Sequence, residues 1–180
     1  MTNSFDSNLY DRQTRTFGND TISKFNSSRV YIYNLTGGFG PEIVKNLALS
    51  GIKNLHLIDD NNVSEGDINN SYFYLKEHIS LKRTFVLKHY IQELNPHINV
   101  FIEDNLDNIL ENSCIVMLNV QRSQVFKINN LARSKNCKLI YSCSKGLSGF
   151  VFVDAGDEHI ASDLTGENIE PVQLKNINFS

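Results

Sequence analysis

Two hydrophobic periodicities alternate along the chain, and their alternation predicts the architecture. The β-branched and aromatic run from Arg29 to Asn34 ends in the turn-forming Thr36-Gly-Gly-Phe-Gly40, which predicts a strand and then a glycine loop. Pro41 fits a first helical position, Ile43/Leu47 and Val44/Ala48 recur four apart, and Gly51 can close the helix they imply. Asn54 to Asp59 reads as a second strand, so the unit is β-loop-α-β with parallel strands. An irregular polar stretch from Asp60 to about Ser71 leads through Tyr72-Phe73-Tyr74 to a helix from about Ser80 to Leu94, with Leu87, Ile91 and Leu94 on one face, ended by Asn95-Pro96. Strands over Ile98 to Ile102, Cys114 to Leu118 and Lys138 to Cys143 alternate with helical segments. The clearest of these runs from Ser123 to Ser134, with Val125, Ile128 and Ala132 inward. Gly149 to Asp154 then follows a strand with no helix between, which favours antiparallel pairing.

Upstream, helices from Tyr10 to about Phe17 and from Asn19 to about Phe25 are split by Gly18, with Asn19 as the cap of the second. The division expected is a helical arm over residues 1–28, a Rossmann-like α/β domain over 29–156, and the opening of a following segment over 157–180, where Val172-Gln-Leu174 is strand-like. The domain should be a mostly parallel twisted sheet with helices on both faces and an antiparallel strand near its C-terminal end.

Composition narrows the function. With 41% hydrophobic and 21% charged residues over 180 positions, the chain can bury a core. Seventeen basic against 20 acidic residues, a net charge of −3, leave no footprint for a phosphate backbone, so nucleic acid is not an expected partner. No apolar run is long enough to span a bilayer, and no membrane partner is expected. Cys114, Cys137 and Cys143 are odd in number, widely spaced and set in apolar strand-like segments, which favours reduced core thiols and a cytosolic or nuclear compartment. His56, His78, His89, His97 and His159 lack metal-ligand spacing, and no metal site is expected.

The loop Thr36-Gly37-Gly38-Phe39-Gly40 lies where free N–H groups at a helix start favour an anion, and Asp59 ends the second strand where an acid would accept ribose hydroxyls. The nicotinamide fingerprint fails, because Ile43 stands where its third glycine belongs. The bland reading, a tight turn and a solvated strand end, is equally open on these residues alone.

Tyr10-Asp11-Arg12-Gln13, the strand and glycine loop, Glu42 to Leu47, Gly51-Ile-Lys, Asp67 to Phe73, Lys145 to Gly149 and Asp163 to Glu167 together resemble the ubiquitin-activating enzyme superfamily of ThiF/MoeB-like adenylating proteins. The active half of that family carries GxGGxG. Gly37, Gly38 and Gly40 match it, while Leu35 replaces the first glycine and should crowd a nucleotide. Asn69-Asn70-Ser71 stands where the active half has Asn-Arg-Gln, and the catalytic lysine expected near Leu81 is absent. A helical step turns Lys82 and Arg83 to another side. The resemblance therefore implies the inactive N-terminal adenylation half, with Gly37, Gly38, Gly40 and Asp59 a vestigial nucleotide site.

What such a half keeps is Arg12, which the resemblance implies reaches into the partner half's ATP site. The implied reaction is ATP- and Mg2+-dependent adenylation of ubiquitin and its capture as a thioester, with ATP and Mg2+ held by the active partner half and none firmly by this chain. Residues 157–180 would then open the first cysteine half-domain. Expected partners are the active half and ubiquitin or a ubiquitin-like modifier, with self-association of the isolated fragment. A non-catalytic subunit of a heterodimeric enzyme for another modifier such as SUMO stays open, as does, distantly, an NAD-dependent oxidoreductase.

Overall fold

The computed structural model describes residues 10–158. Two short helices, α1 (Asp11–Phe17) and α2 (Asn19–Ser27), precede β1 (Arg29–Tyr33), α3 (Phe39–Ser50) and β2 (Asn54–Ile58). There follow α4 (Glu65–Asn70), a 3-10 turn (Lys76–His78), α5 (Arg83–Leu94), β3 (Asn99–Ile102), β4 (Cys114–Leu118), α6 (Arg122–Ser134), β5 (Lys138–Lys145) and β6 (Ser148–Asp154). The six strands form one sheet in the order β3-β2-β1-β4-β5-β6. All pairs are parallel except β5 with β6, the antiparallel hairpin predicted from the missing helix.

Alternation along the strands sends side chains to two separate cores. Val30, Ile32, Leu55, Leu57, Val116 and Leu118 meet Val44 and Ala48 of α3 and Leu87 and Ile91 of α5 on one face. Tyr31, Ile115, Met117 and Leu139 meet Val125 and Ala132 of α6 on the other. Helices therefore cover both faces, as a doubly wound α/β sheet requires. The two-helix arm is tied to the first face. Ile22 is fully buried, Asn95 donates to Ala48 O at 2.9 Å and to Tyr10 OH at 3.5 Å, and Gln13 donates to Leu49 O at 3.1 Å.

Four local expectations need correction. The helix expected from Pro41 begins at Phe39, because Gly40 and Pro41 fit the first turn, where N–H groups have no intrahelical acceptor. Gly18 itself, at φ +81°, separates the two arm helices, and Asn19 is the first residue of α2 rather than its cap. The helix expected from Ser80 begins only at Arg83. Ser80 turns the chain at φ +71°, the Val63 N–H donates to Leu81 O at 2.8 Å, and Lys82 bridges Asn62, so residues 80–82 hydrogen-bond to 61–63 instead of starting a helix. Leu94, expected inward, is 45% exposed, and the buried place beside α3 is taken by Asn95 instead.

The hairpin's free end is pinned to α6. Arg133 Nε and Nη2 donate to the two carboxylate oxygens of Asp154 at 2.8 and 2.9 Å, and Asn129 Nδ2 donates to Oδ2 at 2.7 Å. These donors, with the Gly156 N–H, hold the Asp154 carboxyl down at about 2. Because the folded value lies below the usual carboxylate value of about 3.9, the contribution of this clamp is complete above that value and is lost as pH falls from about 4 through about 2. Thermal unfolding followed from pH 5 to pH 2 should show a steeper loss for the wild type than for Asp154→Asn; parallel curves would contradict this assignment.

Candidate functional site

β1 ends at the point where neighbouring strands diverge, β2 to one side and β4 to the other, which is where doubly wound sheets open a ligand crevice. Asn34, in the left-handed region at φ +72°, turns the chain out of β1. Its Nδ2 donates to Leu118 O at 2.8 Å, stitching the end of β1 to that of β4, and its Oδ1 accepts the Thr36 N–H at 3.2 Å and the Thr36 hydroxyl. The crevice above these ends has a volume of about 560 Å³ and is lined by Asn34, Asp59, Asp60, Asp104, Asn119 and Gln124 among others. No Lys or Arg is among the described residues that line it, so it offers a triphosphate no cation.

The glycine loop is where the sequence placed it, but its Leu35, Thr36 and Gly37 N–H groups already have acceptors. The Leu35 N–H donates to Asp59 Oδ2 at 2.8 Å, the Thr36 N–H to Asn34 Oδ1, and the Gly37 N–H to Asp67 Oδ1 at 2.7 Å. Packing explains the glycines. A Cβ on Gly38 would lie 1.9 Å from the carbonyl oxygen of Asn70, at the end of α4, and one on Gly40 would lie 2.6 Å from the Leu35 Cα. Gly37, at φ +66°, faces open space. Leu35, expected to crowd a nucleotide, is fully buried in the α3/α5 core, so its side chain points away from the crevice and closes nothing.

The group that closes the loop is Arg83, which was expected to face elsewhere. Because α5 starts at this residue, its side chain runs inward. Nε and Nη2 donate to Asp67 Oδ2 at 3.0 and 2.9 Å, and Nη1 reaches Asp59 Oδ2 and the Thr36 hydroxyl, both at 3.3 Å. Side-chain exposure is 8% for Arg83 and 1% for each aspartate, so the triad is largely shielded from water. Burial alone would raise the Asp67 carboxyl, but the Gly37 and Ser64 N–H groups, the Ser64 hydroxyl and Arg83 outweigh it and hold the carboxyl below its ordinary value. Burial likewise opposes the Arg83 charge, and the two aspartates overcome it. The Tyr74 phenol, which donates to Leu35 O at 3.3 Å, is pushed well above its usual range by burial and then by the Asp67 charge.

Asp59, the residue predicted to receive ribose hydroxyls, is saturated. Besides Leu35 and Arg83 it accepts the Asn61 N–H and the Asn61 side-chain amide, each at 2.8 Å, which fills the roughly four lone-pair positions of a carboxylate. Sequence reasoning gave Asp67 and Arg83 no role. The available signal was Ser64-x-x-Asp67, a capping pattern for α4, in which the Asp67 carboxylate accepts the Ser64 N–H at 2.9 Å and hydroxyl at 2.7 Å. Arg12, on α1, is exposed and its guanidinium has no hydrogen-bond or ion-pair partner among the described residues, whereas Arg15 pairs with Asp11 at 3.0 Å.

No group of His, Cys, Asp and Glu among the described residues is arranged to hold a metal ion. Cys114, Cys137 and Cys143 are free; burial, then the nearby Cys137, pushes the Cys114 thiol up to about 11, the opposite of an activated nucleophile. Cys137 stands just before β5 rather than within a strand. Of the cited motifs, Asp163 to Glu167, Val172 to Leu174 and His159 lie outside the described residues.

Strand order and the helices on both faces define a Rossmann-like α/β domain. The ThiF family pattern matches residues 10–178, and the chain belongs to that family. Among its relatives, ubiquitin-activating enzyme E1 1 of Candida albicans is 36% identical over 164 residues, 90% of this chain and 16% of that protein. Human ubiquitin-like modifier-activating enzyme 6 is 33% identical, covering 96% of this chain and 17% of its own length. The DNA damage tolerance protein RHC31 of Saccharomyces cerevisiae is 33% identical over 92% of this chain, which spans 49% of that protein. The fold is also that of Escherichia coli MccB crystallised with AMPCPP and MccA, with a TM-score of 0.66 at 21% identity over 78% of this chain and 44% of that one. The chain thus spans about a sixth of the activating enzymes it matches.

The triad predicts a large stability effect with a clean control. Removing one partner of a buried ion pair typically costs about 3–5 kcal/mol, whereas exposed side chains cost within about 0.5 kcal/mol. Urea unfolding of Arg83→Ala should show a loss of the first size. Lys82→Ala, which removes only a contact with Asp60 O, should show the second. Equal losses would remove the triad from its central place.

Proposed function

We propose that this chain is the catalytically inactive adenylation half of a ubiquitin-activating enzyme, supporting the half that binds ATP and Mg2+ and adenylates ubiquitin or a ubiquitin-like modifier. The observation that carries the reading is that the loop's own N–H donors at Leu35, Thr36 and Gly37 are taken by Asp59, Asn34 and Asp67. A phosphate would have to displace two carboxylates and an amide, in a crevice without a lining cation. Gly37, Gly38, Gly40 and Asp59 then serve the fold rather than a ligand. On this reading residues 1–28 are an arm, 29–156 the adenylation-like body and 157–180 the opening of the next segment of a longer enzyme of the cytoplasm and nucleus.

Two surface features support a role beside a partner. Arg12 presents a guanidinium unpaired among the described residues, on a helix with no buried residues, as an arm reaching to another subunit's phosphates would. Among the described residues the β6 edge exposes Phe150, Val151, Phe152 and Val153 with no charged or proline residue between them, a surface suited to a homologous half. A separate shorter subunit is a second arrangement, favoured because this chain spans half of the yeast relative but a sixth of the long enzymes. The parent reading frame separates the two: an intact second adenylation half in the same frame means one long chain.

Arg12→Ala in the full-length enzyme should slow modifier-dependent exchange of pyrophosphate with ATP by about 100-fold, the usual effect of losing a donor aimed at developing charge. Domain stability should stay within about 0.5 kcal/mol. Arg12→Lys should recover only part of the rate, because an ammonium lacks the fork. Arg15→Ala, which breaks only an exposed pair with Asp11, is the control. Wild-type exchange in Arg12→Ala, or equal damage in Arg15→Ala, would return Arg12 to the surface.

A further inference from the structure

We propose that the glycine loop keeps its capacity to bind an oxyanion and that Asp67 is the anion it binds, a carboxylate from the chain itself standing where an external one would otherwise sit. The inference rests on the inactive-half reading and deepens it: the loop is closed by occupation, not by loss of its donors.

The geometry around Asp67 is that of an anion site with its ligand in place. One oxygen takes the Gly37 N–H at 2.7 Å. The other takes two guanidinium N–H groups of Arg83 at 2.9 and 3.0 Å, the Ser64 N–H at 2.9 Å and the Ser64 hydroxyl at 2.7 Å. Five donors from a glycine loop, an arginine and a helix start converge on one carboxylate whose side chain is 1% exposed. Backbone N–H groups and a forked guanidinium are the means by which proteins hold phosphate and carboxylate alike. The site's charge agrees. Asp59 and Asp67 against Arg83 leave one negative charge in excess, which repels a further anion. With Asp67 removed, Asp59 and Arg83 balance, and Arg83 and Gly37 are left with unmet donors in a buried place. Position also argues for occupation, since the Asn70 carbonyl of the same helix lies over Gly38, so α4 both supplies the anion and covers the loop.

The test is rescue by added oxyanion in the whole 180-residue chain. Asp67→Ala, which leaves space for the lost carboxylate, is unfolded thermally against rising sodium formate and, separately, inorganic phosphate, with sodium chloride at matched ionic strength as reference. Asp67→Ala should melt below the wild type. At ten times its dissociation constant, at least one of the two anions should raise that melting temperature by about 3–6 °C above the chloride reference, saturably. The wild type and Asp67→Ala/Arg83→Ala should follow chloride alone. If neither anion stabilises Asp67→Ala beyond chloride, or if the wild type responds equally, the proposal is overturned. Should Asp67→Ala not fold in chloride, its refolding is followed by circular dichroism in the same series: recovery in formate or phosphate supports the proposal, and none at any concentration overturns it. Failure of the underlying reading looks different. There the wild-type chain itself would bind ATP with Mg2+ in the low micromolar range, whatever the variant does.

Discussion

Arg83 lies between Asp59 and Asp67, nearly buried, and the local structure of the glycine-loop region depends on that contact. It joins the end of β2, the capping residue of α4, the first residue of α5 and the Thr36 hydroxyl of the loop. A buried ion pair is expensive to desolvate and is stable only when its remaining hydrogen-bonding positions are filled. Here the filling groups are the Leu35, Gly37 and Ser64 N–H groups and the side chains of Ser64 and Asn61, so the charges fix the loop and the loop completes the charges. Tyr74, buried beside the triad with its hydroxyl on Leu35 O, excludes water from one side.

The consequence for function follows from competition rather than from shape. The sheet still opens a crevice at the divergence of β1 and β4, and the glycine loop still precedes a helix. Yet each of the Leu35, Thr36 and Gly37 donors has an internal acceptor, and Asp59 has no free lone pair to offer. The domain's outward features are the Arg12 guanidinium and the apolar β6 edge.

Much of this was legible in the residues. The parallel β1-α3-β2 unit and the antiparallel β6 were readable because the period-2 and period-3.6 patterns there are strong and the missing helix before β6 leaves only one pairing. The stretch from Asp60 to Arg83 was not. It contains a six-residue helix too short to show periodicity and a hydrogen-bonded contact of 80–82 with 61–63 that depends on a distant segment. Placing the start of α5 three residues early put residues 81–83 on a helical turn and so turned Arg83, the first residue of the actual helix, away from the loop it enters. Leu35 was misjudged for a related reason: Asn34 at φ +72° reverses the alternation of β1, and the next side chain falls into the core. Neither error could be seen without the tertiary contact that causes it.

The most direct test reads the loop amides themselves. In a nitrogen-15 correlation spectrum of the 180-residue chain, titrated with ATP and Mg2+ to millimolar concentration, the Leu35, Thr36 and Gly37 resonances should stay in place, because their protons already lie on Asp59, Asn34 and Asp67. Saturable movement of those three amides at micromolar ATP would contradict the account, since it would mean that a phosphate displaces the protein's own acceptors.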